Sequence, residues 1–205
     1  MKVEKIVSNY LDSNVYVLTK EDNVIIVDAG GELEKIRTLI GNKKVCGVLL
    51  THGHYDHSLF AATYAIAFGC NVYCTKECQS TLADSTANYS EGHFKIEDFS
   101  FFTTIDDFDE LRLGQFNIKC IQTKGHSKCS CCYLIEGQLF AGDTLFDNGI
   151  GRIDLVGSDK MEMIESLTRL ENVDFDMCYC GHGNPSNKML QNKNISIYKK
   201  FLTRI

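Results

Sequence analysis

The heptapeptide THGHYDH, residues 51–57, carries three of the chain's six histidines and an aspartate. Imidazole and carboxylate together suit zinc, iron or manganese. Three further residues of metal-ligand type stand apart from this stretch: His126 after NIKCIQTKG, Asp143 after QLFAG, and His182 after MCYCG. With His52, His54, Asp56 and His57 they make seven candidate ligands and use five of the six histidines. Seven exceed what one tetrahedral catalytic ion takes. They suit two ions sharing a bridging carboxylate and a bridging hydroxide. The H-x-H alternation on an extended loop lets two imidazoles reach one ion, while the adjacent Asp56–His57 pair points toward a second.

These residues need elements to position them, and the sequence supplies strands. VCGVLL (45–50) reads as a buried strand running into the heptapeptide. The segments before His126, Asp143 and His182 have the same character. In α/β sheets functional groups converge on the loops beyond strand ends, held by the scaffold. Around them, NVYVLTKEDNVIIVDAGG (14–31) reads as a hairpin. ELEKIRTLIG (32–41) is helical, with Leu33, Ile36 and Ile40 on one face. SLFAATYAIAFG (58–69) is helical and NVYCT (71–75) is a short strand. Residues 84–98 are polar and lack either period, so they form a loop or rim. Two hairpins follow, over 110–123 and 131–143. Asp159 caps a helix with Glu162 three residues on, and residues 191–203 are helical. The class is α/β, in one domain over 1–205.

Composition narrows the function. An apolar fraction of 44% with 23% charged residues is ordinary for a soluble globular chain, and no apolar run is long enough to span a membrane. MKVEKIVSNYLDS has no secretory hydrophobic region, so the expected location is the cytoplasm. There the ten cysteines stay reduced. Cys129, Cys131 and Cys132 lack the paired spacing of a zinc ribbon and read as packing, as do Cys178 and Cys180, which share a strand face. A net charge of −6 without a basic cluster excludes nucleic acid as the main partner and leaves a small molecule.

The signature H-x-H-x-D-H, met by His52, His54, Asp56 and His57, resembles the metallo-β-lactamase superfamily. TKGHS at His126, AGDTLF at Asp143 and YCGHG at His182 match its other ligand positions. The resemblance implies an αββα sandwich of two mixed β-sheets flanked by helices, holding two divalent ions, zinc foremost, with iron or manganese as substitutes. His52, His54 and His126 would hold the first ion. Asp56, His57 and His182 would hold the second, with Asp143 bridging. Asp28, in VDAGG, matches a position that supports the metal loops without being a ligand.

GDTLFDNGIGRIDLVGSD looks like the short glyoxalase II-like hydrolases, with Arg152 and Asp154 in the I-G-R-x-D pattern, and ANYSEG resembles their N-x-S segment. That branch cleaves thioesters such as S-lactoylglutathione. A bridging hydroxide would attack the carbonyl, oriented by Asp56 as catalytic residue, and a thiol leaves without a strong general acid. Candidate substrate contacts are Arg152, Lys124 and Tyr55. The segment after His182 is shorter than the helical extension with which full-length glyoxalase II enzymes grip glutathione. Persulfide dioxygenases, which use a single iron on residues matching His52, His126 and Asp143, are the nearest alternative. Lactone hydrolysis is a third.

Overall fold

The structure, a computed structural model, describes residues 1–204. The first half of the chain is β1 (Lys2–Val7), β2 (Asn14–Lys20), β3 (Asn23–Val27), α1 (Leu33–Ile40), β4 (Lys44–Leu49), α2 (Tyr55–Ser58), α3 (Ala61–Phe68), β5 (Val72–Thr75), α4 (Lys76–Leu82) and β6 (Phe102–Ile105). The second half is β7 (Glu110–Leu113), β8 (Phe116–Gln122), β9 (Cys131–Ile135), β10 (Gln138–Gly142), β11 (Leu145–Phe146), β12 (Gly149–Ile150), α5 (Lys160–Glu171), β13 (Met177–Cys180), β14 (Ser186–Asn187) and α6 (Lys188–Leu202). Strands β1 to β6 make one sheet in sequence order, antiparallel from β1 to β3 and parallel from β3 to β6. The other sheet runs β14-β13-β10-β9-β8-β7, with β10 and β13 parallel and the remaining pairs antiparallel.

Side-chain alternation along the strands sorts the apolar residues into three interiors. In β3, Val24 and Ile26 face outward onto α1, α3 and α4, while Ile25 and Val27 face the other sheet. In β10, Phe140 points between the sheets, whereas Leu139 and Ala141 point outward toward α5 and α6. Both faces of each central strand are therefore covered, giving the continuous apolar runs seen in the sequence. The result is the αββα sandwich with mixed sheets.

Local chemistry agrees with this arrangement. Asp159 Oδ1 accepts the N–H groups of Met161 and Glu162 and starts α5, and Asn187 Oδ1 accepts the Leu190 N–H at the start of α6. Residues 84–98 hold neither helix nor strand. The cysteines pack. Cys129, Cys131 and Cys132 point into three different interiors and cannot converge on one ion. Cys178 and Cys180 share the α5–α6 side. No described helix is long and apolar enough to cross a membrane.

Candidate metal centre

All four ligand-bearing segments lie past strand C-termini at one edge of the sandwich. His52 to His57 follow β4, His126 follows β8, Asp143 follows β10 and His182 follows β13. The heptapeptide is extended only in its first half. Tyr55 to Ser58 form the single turn α2, and the Ser58 hydroxyl donates to the His54 carbonyl at 2.8 Å. That turn brings Asp56 and His57 up to His182.

Outer hydrogen bonds set the tautomers. His126 Nδ1 lies 3.0 Å from the Arg152 carbonyl, an acceptor only, so the proton sits on Nδ1 and Nε2 is bare. His57 Nδ1 donates to Asp28 Oδ2 at 2.8 Å. The Thr51 hydroxyl gives its proton to the Asp28 carboxylate and accepts from His52 Nδ1 at 3.0 Å. Asp28 also accepts the Thr51 N–H at 2.8 Å. It adopts a left-handed backbone, φ 61°, and is buried. One carboxylate thus orients two of the imidazoles from behind, the support expected of it.

The inward donors form three overlapping groups, in each of which all ligand atoms lie within 4.8 Å of one another: His52–His54–His126, Asp56–His57–His182, and His52–His57–Asp143. His54 Nδ1 faces His126 Nε2 at 3.0 Å, and His57 Nε2 faces His182 Nε2 at 3.2 Å. Asp143 sits between the first two groups. Its Oδ1 is 3.4 Å from His57 Nε2, and its Oδ2 is 3.5 Å from both His126 and His182. Two glycines permit this approach. A side chain at Gly181 would strike the Asp143 carboxylate and one at Gly151 its carbonyl.

The donor set fits cations. His52 Nε2 and Asp143 Oδ1 are buried without a hydrogen-bond partner, which is costly for groups that only accept. Burial holds His52 well below the usual imidazole range and pushes His54 down to about 3, with neighbouring imidazoles adding to it. The first trio is therefore neutral, the form that ligates. At the second trio burial also opposes charge, but Asp56, Asp143 and Asp28 outweigh it and raise His57 to about 10. Burial would raise the Asp56 carboxyl, yet His57 and His182 hold it down to about 2. Three buried carboxylates call for positive charge at this point. A proton supplies it in the bare protein, and a divalent ion would supply more.

A cleft of about 440 Å³ opens over Asp56, Asp143 and His182. Tyr55 and Arg152 line it, as expected, although the Arg152 guanidinium is held by Asp154 through two 2.9 Å bonds. Lys124 does not belong there. Its ammonium lies 3.4 Å from Glu77, and the residue is not among those lining the cleft. His93 is exposed on the rim loop, outside that lining.

Sequence reasoning missed Leu11, Tyr89, Phe146 and Leu155, which form most of the remaining wall. Tyr89 edges onto the His54 ring at 5.1 Å, and Phe146 onto the His182 ring at 6.0 Å. Asn194 and Gln191 of α6 donate to the Phe146 carbonyl, and Asn194 also to the Gly149 carbonyl at 2.7 Å, which fixes the β11–β12 turn. Tyr89 lies in ANYSEG and Phe146 and Leu155 in GDTLFDNGIGRIDLVGSD, but nothing in either motif marks these side chains as cleft wall.

Known proteins resemble the chain in sequence and fold. The family model described as "Metallo-beta-lactamase superfamily" matches residues 9–182. A probable metallo-hydrolase of Bacillus subtilis, YqgX, is 30% identical over 191 residues, covering 89% of this chain and 90% of its own. A probable polyketide biosynthesis zinc-dependent hydrolase of the same organism, PksB, is 29% identical over 181 residues, covering 83% of this chain and 73% of its own. The crystal structure of the BLEG-1 B3 metallo-beta-lactamase superposes with a TM-score of 0.84 at 27% identity, covering 98% of this chain and all of that one. The chain belongs to the metallo-beta-lactamase superfamily.

Proposed function

We propose that the protein is a dinuclear metal-dependent hydrolase of thioesters, of the short glyoxalase II-like kind, with zinc as the first-choice metal. The observation that carries this reading is the split of seven inward donors into two trios with Asp143 between them. His52, His54 and His126 would hold one ion, Asp56, His57 and His182 the other, and Asp143 would touch both. Bound divalent cations supply Lewis acidity toward a carbonyl and activate water near neutral pH. PksB, described as zinc-dependent, and YqgX, described as a probable metallo-hydrolase, support the class.

The chain's own groups do the rest. Asp28 and Thr51 keep His57 and His52 in the ligating tautomer. Asp56, on the cleft floor, orients the attacking water through its carboxylate. The water oxygen bonds to the acyl carbon, the C–S bond breaks, and the sulfur leaves as thiolate. One proton of the water ends on the thiol and the other leaves as the acid ionises. A thiol pKa of about 8.5 makes that departure easy without a strong general acid. The GDTLF and IGRID segments rank this above a single-iron persulfide dioxygenase, whose ion His52, His126 and Asp143 would hold.

The test is hydrolysis of S-lactoylglutathione and small acyl thioesters by zinc-loaded protein before and after chelation. Chelator-sensitive thiol release is the expected result. Activity on lactones alone would contradict the thioester assignment.

A further inference from the structure

Apart from metal ligands, the cleft is walled by Leu11, Tyr55, Tyr89, Phe146, Arg152 and Leu155. Five of the six are aliphatic or aromatic. Arg152 is the one cation among the described lining residues, and Asp154 already occupies its Nε and Nη2. A carboxylate on the substrate would compete with Asp154 for this guanidinium or settle for the donors that Asp154 leaves over.

The apolar wall is held in place by strained and bonded backbone. Leu11 is 64% exposed, and it and Asp12 take consecutive left-handed conformations, φ 53° and 55°. Their loop is closed by Ser8 N–H to the Ser13 carbonyl at 2.8 Å and tied to the ligand turn by the Ser13 hydroxyl on the Asp56 carbonyl at 2.6 Å. Across the cleft, Tyr89 is also left-handed, φ 62°, and its hydroxyl accepts the Val156 N–H. Asn88, fully buried, anchors that segment by donating to the Phe94 carbonyl at 3.0 Å. The bond to Val156 ties down the loop carrying Leu155. Strain maintained by such contacts marks functional loops. Here it gathers aliphatic and aromatic side chains around the mouth of a hydrolytic site, the lining typical of small-molecule pockets.

We infer that the cleft selects a neutral thioester with an apolar acyl chain, gripped between Leu11 and Leu155; this rests on the thioester reading above. A carrier thiol bearing carboxylates finds a single wall cation, Arg152, already paired with Asp154.

Four substrates test it on the zinc-loaded protein: acetyl and hexanoyl thioesters of N-acetylcysteamine and of glutathione. The expected kcat/KM for hexanoyl exceeds that for acetyl by about tenfold or more, as burial of a few methylenes gives. The glutathione carrier adds no advantage. Leu11→Ser with Leu155→Ser brings the hexanoyl-to-acetyl ratio toward one, and Leu11→Ser alone, which removes an exposed side chain, lowers the same ratio. Independently of turnover, titrated hexanamide shifts the Leu11 and Leu155 methyl resonances. Equal or better use of acetyl, a preference for the glutathione esters, or an unchanged ratio in the variants overturns this inference while the hydrolase reading stands. Failure to hydrolyse any of the four overturns both.

Discussion

The ligand bed and the cleft wall lie side by side but are built differently. The bed stands on strand ends. Its side chains are mostly buried, and their far nitrogens are pinned by Asp28, Thr51 and the Arg152 carbonyl. The wall stands mostly on loops, with Phe146 on the two-residue strand β11 and Tyr55 on the single turn α2, and its aliphatic and aromatic groups are half-buried or exposed. Its shape depends on contacts made by other residues, such as the Ser13 hydroxyl on the Asp56 carbonyl. The difference separates two tasks. The bed determines what reaction is available, and the wall determines which molecule meets it.

Substitutions can break this division or sharpen it. The largest effect is expected in the bed. Asp143→Ala removes the carboxylate between the trios, and hydrolysis should fall to background while bound zinc drops, as read by thiol release and elemental analysis. Next is Asp28→Asn. Loss of the buried charge behind His57 and Thr51 should weaken metal binding by about 10–100-fold, the usual effect of removing an outer partner. Competition with a chromogenic chelator measures it.

A smaller effect is expected where α6 supports the wall. Asn194→Ala removes its hydrogen bonds to the Phe146 and Gly149 carbonyls, leaving Gln191 on the first. Stability should fall by about 1–3 kcal/mol, the penalty of buried unsatisfied groups. KM should rise more than kcat falls, with metal content unchanged. Denaturant titration and steady-state kinetics separate the two. The smallest is Lys124→Gln. Its pair with Glu77 is partly exposed and lies outside the cleft lining. Surface changes of this kind stay within about 0.5 kcal/mol of neutral, and turnover should be that of the parent. A large loss would return Lys124 to the substrate contacts.

The bed was legible in the sequence because each ligand follows an apolar strand, and strand-then-histidine is a local pattern. VCGVLL before His52 and MCYCG before His182 are both strands at the expected place. The helix over Leu33–Ile40 was equally plain from Leu33, Ile36 and Ile40. The one-turn helix α2 was not, because Tyr55–Ser58 is too short to show a period and is set by contacts such as Ala29 N–H to the His57 carbonyl. Leu11 and Tyr89 were illegible for a related reason. Nothing local to either shows that a strained loop will carry it to the cleft. For Lys124 the sequence left a substrate contact and a solvated loop charge both open, and its ammonium lies beside Glu77, outside the cleft lining.

The central claim is that two ions share Asp143. Elemental analysis of protein purified without oxygen or chelators, set beside His182→Ala prepared in the same way, tests it most directly. Close to two ions of zinc, iron or manganese per chain are expected in the parent and close to one in the variant. One iron per chain in both, not raised by added metal, would contradict it.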